Sequence, residues 1–137
     1  MKTFFDTNVL VYAFDVDAPA KRKKAAQLLS ERAAAGEVLV STQVLQEFYV
    51  TVTRKLARPL AEELALVATR ELTAFPVVNV DANLVVAAIG ASREHRISFW
   101  DALIVEAARS GGASVLYSED FSDGRSFAGA TVKNPFA

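Results

Sequence analysis

The sequence predicts an α/β fold built on a mostly parallel sheet of four or five strands. Short apolar runs rich in β-branched and aromatic residues (Thr3-Phe4-Phe5, Val38-Leu39-Val40, Val77-Val78, Val115-Leu116-Tyr117) alternate with longer stretches of helical periodicity. The runs are apolar throughout rather than alternating, as in strands covered on both faces. Helices between them act as crossovers, which are right-handed and leave successive strands parallel. At 137 residues, 52% hydrophobic and 23% charged, the chain has the material for one core. With no repeat, linker or low-complexity stretch, residues 1–137 read as a single domain.

Thr3–Phe5 forms the first strand and ends at Asp6; Val9 to Phe14 is a short apolar helix. Pro19, suited to a first helical turn, opens a helix through Lys21-Arg22-Lys23-Lys24 to Ala35, which Gly36 stops. Val38–Val40 is the second strand. Ser41 or Thr42 caps the next helix, where Val44, Leu45, Phe48 and Val52 recur at helical spacing. Arg58-Pro59 breaks that helix, and Pro59 begins another that runs to about Thr73. Val77-Val78 is a buried third strand, after which Asp81, a cap and nothing else, starts a helix carrying Leu84, Val85, Ala88 and Ile89. Ser98 starts a helix over Phe99 to Ser110, closed by Gly111-Gly112. Val115–Tyr117 is the fourth strand and Thr131-Val132 a short fifth. Trp100 and the phenylalanines belong to the core, Phe48 and Tyr49 are candidate partner contacts, and His95 is an exposed helix-end residue.

Composition narrows the chemistry. There is no cysteine, which excludes disulfides, thiolate zinc sites, iron–sulfur clusters and cysteine nucleophiles. The single histidine excludes a His-rich metal cage, and any Ser–His–Asp triad would have to use His95. A net charge of −1 disfavours a protein that coats nucleic acid or binds membranes by charge alone. Asp6, Asn8, Asp15 and Asp17 interrupt the apolar N-terminal segment, and no run reaches the roughly 20 residues a spanning helix needs. A soluble, cytoplasmic protein with no membrane partner is expected, with its chemistry carried by carboxylates.

In a sheet of this kind the functional edge lies at the carboxyl ends of the strands. Asp6 ends the first strand, Asp120 follows the fourth, Glu47 lies within two turns of the start of the helix after the second strand, and Asp101 is in the first turn after Ser98. All four can face one edge. Converging carboxylates repel one another and resist ionisation unless a cation joins them. Oxygen-only ligands suit Mg²⁺ or Mn²⁺, which can activate water and offset charge on a phosphodiester. Blander roles compete: Ser98-Phe99-Trp100-Asp101 fits a capping box, and Asp6 and Asp120 fit N-caps. Glu47 fits no such role, because it stands among Val44, Leu45, Phe48 and Val52, where an unpaired charge is costly.

Together these residues resemble the PIN domain, the metal-dependent nuclease fold of VapC-type toxins. Four stretches carry the resemblance: Phe5-Asp6-Thr7-Asn8-Val9-Leu10-Val11-Tyr12, Gln46-Glu47-Phe48, Ser98-Phe99-Trp100-Asp101-Ala102-Leu103-Ile104 and Leu116-Tyr117-Ser118-Glu119-Asp120-Phe121. It implies a Rossmann-like α/β/α sandwich with Asp6, Glu47, Asp101 and Asp120 as an acidic quartet around Mg²⁺ or Mn²⁺. It also implies that Asn8 orders the first acidic turn and that Ser118 stands beside the metal and the scissile phosphate. The implied activity is endoribonuclease cleavage, with water attacking phosphorus and a 3′-hydroxyl leaving. The implied partners are RNA, a second copy of the chain, and a small VapB-like antitoxin whose tail occupies the acidic groove. The last acidic position has three candidates, Glu119, Asp120 and Asp123, of which Ser-x-Asp spacing favours Asp120. Lys21, Arg22, Lys23 and Lys24, with Arg54, Lys55 and Arg58 behind them, are candidates for contact with the RNA backbone.

Two other readings compete. A receiver-type phosphoacceptor domain shares the length, the sheet and an acidic Mg²⁺ pocket, and Lys133-Asn134-Pro135-Phe136 resembles its Lys-Pro end. It needs an acidic pair after the first strand and an Asp ending the third; here Asp6 stands alone and Val78-Asn79-Val80 precedes Asp81. The second is a non-catalytic PIN-like module that binds RNA or a partner without cutting. Phe14-Asp15-Val16-Asp17 resembles a dehalogenase-type phosphatase motif but follows a helix rather than a strand, which excludes that class.

Overall fold

The computed structural model describes residues 1–137. The chain runs β1 (Thr3–Phe5), α1 (Thr7–Tyr12), α2 (Pro19–Ala34), β2 (Val38–Ser41), α3 (Thr42–Arg54), α4 (Glu62–Leu72), β3 (Val77–Val78), α5 (Ala82–His95), α6 (Phe99–Ser110), β4 (Val115–Tyr117), β5 (Ser126–Phe127) and β6 (Ala130–Lys133). One sheet takes the order β3-β2-β1-β4-β6-β5, parallel throughout except for the β5–β6 pair. Every residue of β1, β2 and β4 is buried, so helices cover both faces of the sheet. On the helical side α1 packs on α2 and α3, α3 on α4, and α5 along α6.

The expected α/β architecture is present, with four local differences. The sheet has six strands rather than four or five. The extra one, β5, returns into β6 through Ala128-Gly129, whose φ values of 47° and 94° suit a two-residue hairpin. α1 starts two residues earlier than expected, because Asp6 caps it by accepting the Thr7 backbone N–H at 2.7 Å. α4 starts at Glu62, not Pro59: the Leu60 N–H donates to the Val52 carbonyl at 2.8 Å and holds the link back against α3. β3 is only partly buried, since it is an edge strand.

Phe4, Phe5, Phe48, Phe127, Leu10 and Leu116 fill the interior, each almost wholly inaccessible. Phe48 is therefore core rather than a partner contact, its ring edge-on to Phe14 at 5.4 Å. His95 is half-buried, edge-on to Phe127 at 5.0 Å, rather than free in solvent. Asp81 does cap α5, accepting the Leu84 N–H at 2.9 Å. No helix is long and apolar enough to cross a membrane.

From β1 the sheet grows to β2 and β3 on one side and to β4 and β6 on the other. The switch point therefore lies between the carboxyl ends of β1 and β4, where a crevice opens in folds of this kind.

Candidate active site

Asp6 leaves the end of β1 at that switch point and is 4% exposed. Its Oδ1 accepts the Thr7 N–H at 2.7 Å and its Oδ2 accepts the Ser118 hydroxyl at 2.7 Å. Burial pushes the Asp6 carboxyl up to about 7, against the opposing pull of those two hydrogen bonds, and the nearby charges of Asp120 and Glu47 add to the rise. Ser118, fully buried at the end of β4, also accepts the Asp120 N–H at 3.0 Å through its oxygen. One hydroxyl thus ties the first acidic turn to the last. Asn8 supplements the tie: its Nδ2 lies 3.5 Å from the Ser118 oxygen, and its Oδ1 accepts the Glu119 N–H at 3.4 Å.

Glu47 projects from the second turn of α3 and accepts the Thr7 hydroxyl on Oε1 at 2.8 Å. Asp101 sits in the first turn of α6, where its N–H donates to the capping Ser98 hydroxyl at 3.0 Å. The capping role foreseen for Ser98 is real, but the Asp101 carboxyl still lines the cleft. Desolvation raises that carboxyl above its ordinary value, the Ser98 hydroxyl opposes the rise, and Asp120 reinforces it.

Asp6, Glu47, Asp101 and Asp120 thus line one cleft of about 560 Å³, together with Asn8 and Tyr12. Of the three candidates for the last acidic position, only Asp120 faces it. Glu119 turns away to accept the Tyr12 hydroxyl at 2.7 Å and pair with Lys21 at 3.1 Å. Asp123 accepts the Asn134 N–H at 2.7 Å in the turn beyond. No three carboxylates stand close enough here to grip one ion directly. The donor set is all oxygen and surrounds the cleft rather than meeting at a point. It fits a hard cation such as Mg²⁺, which retains several of its own waters.

The basic candidates divide. Lys21 is engaged within the molecule, with Glu119 and with the Tyr12 hydroxyl at 3.2 Å, its ammonium 4.6 Å over the Tyr12 ring. Arg22, Lys23 and Lys24 are exposed on α2 and do not line the cleft. Arg54 is exposed at the end of α3, and Arg58 pairs with Asp17 at 3.2 Å, whereas Lys55 lines the cleft. Ser118 is wholly buried and does not line the cleft; its hydroxyl bonds the Asp6 carboxyl and the Asp120 N–H. Thr7, Gln43 and Trp100 line the cleft and were not legible as site residues. For Thr7 the only signal was its place directly after Asp6.

The chain is thus an α/β protein with an acidic cleft at the switch point of its mostly parallel sheet. A PIN-domain family model matches residues 3–122, and the chain belongs to the PIN-domain family. That membership removes the receiver-type reading. Solved structures of the same fold include a toxin–antitoxin complex from Klebsiella pneumoniae, 20% identical over 98% of both chains, with a TM-score of 0.72. Another is VapC20 of Mycobacterium tuberculosis, a Sarcin-Ricin loop cleaving toxin, 22% identical over 93% of this chain and 98% of that one, with a TM-score of 0.70. A third is VapBC2 of Rickettsia felis bound to a DNA fragment from their promoter, 16% identical over 98% of both chains, with a TM-score of 0.67. No curated protein matches the chain in sequence.

Proposed function

We propose that this protein is a divalent-metal-dependent endoribonuclease of the VapC toxin type, hydrolysing RNA phosphodiester bonds. One observation carries the reading: carboxylates from four separate chain segments converge on a single cleft at the switch point of a PIN fold. RNA cleavage by a neighbour of this fold, the Mycobacterium tuberculosis toxin, supports the substrate class.

Asp6, Glu47, Asp101 and Asp120 would hold Mg²⁺ or Mn²⁺, in part through waters that the ion retains. When bound, the ion supplies water activation and offsets charge developing on the phosphodiester. Ser118 fixes the Asp6 and Asp120 turns relative to each other, and Thr7 holds Glu47 in place. Glu47 orients the attacking water or binds the ion. The N-termini of α1 and α6 open at the same edge, where helix dipoles favour a phosphate. Lys55 offers the phosphate backbone a cation inside the cleft, and Arg22, Lys23 and Lys24 offer others on α2.

The protein works in a toxin–antitoxin pair, held by a VapB-like antitoxin and paired with a second copy of itself. The complexes formed by its structural neighbours support the antitoxin. Exposed Leu64 and Val67 on α4, and Val86 and Ile89 on α5, support faces covered by protein.

The test is cleavage of total RNA by the purified, antitoxin-free protein with Mg²⁺, with Mn²⁺ and with EDTA. Metal-dependent fragments ending in 3′-hydroxyls, absent with Asp101→Asn, are expected. RNA binding without cleavage under any metal would instead establish a binding module.

A further inference from the structure

Trp100, expected in the core, is instead 65% exposed and lines the acidic cleft directly beside Asp101. Its carbonyl accepts from the Gln43 Nε2 at 3.2 Å, and its indole packs edge-on with the Phe99 ring at 5.2 Å. Gln43 is 6% exposed and lines the same cleft, and its Oε1 has no hydrogen-bond partner. A buried amide oxygen left unpaired is costly, and a donor brought by a ligand removes the cost. The cleft therefore carries two unused features next to its carboxylates, an open aromatic face and an orphan acceptor.

We propose that Trp100 and Gln43 form a nucleobase subsite. An unpaired base of the RNA, adjacent to the phosphate at the carboxylates, stacks on the indole, and a donor of that nucleotide reaches the Gln43 Oε1. The proposal rests on the ribonuclease reading and extends it to a substrate contact. A strand entering the cleft must continue past Asp101, and there it meets an aromatic face, which suits a base rather than a phosphate. Only a base outside a duplex stack can offer its face in this way, so the segment bound beside the cut is single-stranded.

Trp100 is the only tryptophan in the chain, so its emission reports on this spot alone. Short single-stranded RNA titrated into non-cleaving Asp101→Asn protein is expected to quench that emission saturably. The same strand made abasic next to the cut site is expected to leave it unchanged. In cleavage assays Trp100→Ala is expected to lower kcat/KM about tenfold or more, with Trp100→Phe recovering much of the loss. Gln43→Met is expected to flatten the preference among bases at that position. The thermal shift given by Mn²⁺ should stay that of the parent in all three variants. RNA cleaved with equal efficiency by wild type and Trp100→Ala, with no emission change, overturns the subsite and leaves the ribonuclease intact. Absence of both cleavage and RNA binding in the wild type removes the parent reading and the subsite with it. Quenching by an Arg-containing peptide but not by RNA assigns the indole to a protein partner and overturns the nucleobase.

Discussion

Asp6 holds its proton far above the range where a free carboxyl loses it, at about 7, chiefly because burial strips its water. Between roughly pH 4 and pH 7 the folded protein keeps that proton while the unfolded chain has lost it, so stability falls as pH rises through this window. Metal-free protein should therefore unfold more easily in denaturant at pH 8 than at pH 5. The contribution from this one group is on the order of a few kcal/mol. Asp6→Asn should remove most of the slope, raise metal-free stability at pH 8 and abolish cleavage. A slope that survives the substitution would place its source elsewhere. Because the cation competes with a proton, its apparent affinity should rise across the same window, measurable by calorimetric titration at several pH values.

Among elements, α6 is the one on which most depends. Its first turn delivers Trp100 and Asp101 to the cleft, and its end lies against the sheet. There Gly111 approaches Leu39 of β2 so closely that an added Cβ would collide with that side chain and crowd Val78 at 3.1 Å. Gly111→Ala should cost about 1–3 kcal/mol in chemical denaturation, since overpacking a filled core forces side chains or backbone to move. An unchanged midpoint would show that the β2–α6 seam gives way freely. The same helix shows what the sequence could and could not disclose. Ser98 as cap and the Phe99–Ser110 span were legible, because capping chemistry and helical periodicity are local, and Asp101 lines the cleft as its place in the first turn predicts. Trp100 was not legible as a cleft residue. Its spacing from Leu103, Ile104 and Ala107 matches the buried stripe, but the first turn of α6 lines the cleft, and there Trp100 is exposed. The Ser-x-Asp spacing already favoured Asp120 over Glu119; what the sequence did not disclose is that Tyr12 and Lys21, about a hundred residues away, engage Glu119. β5 escaped notice because two residues carry no periodicity, and only the positive φ values of its turn reveal the hairpin.

At the scale of the whole molecule, a cation that binds the folded cleft and not the unfolded chain must stabilise the protein by mass action. At a concentration a hundredfold above its dissociation constant the gain is about 2.7 kcal/mol, an increase that Tm should register for Mg²⁺ or Mn²⁺ and lose with EDTA. Asp101→Asn should blunt that increase. An equal rise in wild type and variant would mean that the ion binds outside the quartet. The sheet order has a further consequence. The residues that meet in the cleft are spread from position 6 to position 120 of a chain of 137, and the turn bearing the last of them leaves a strand flanked by β1 and β6. Any fragment that stops short of Asp120 lacks the complete set of carboxylates. The cleft is therefore complete only once β4 has docked beside β1 and carried the turn after it into place, so its lining is assembled by the longest-range strand pairing in the sheet rather than by any local segment.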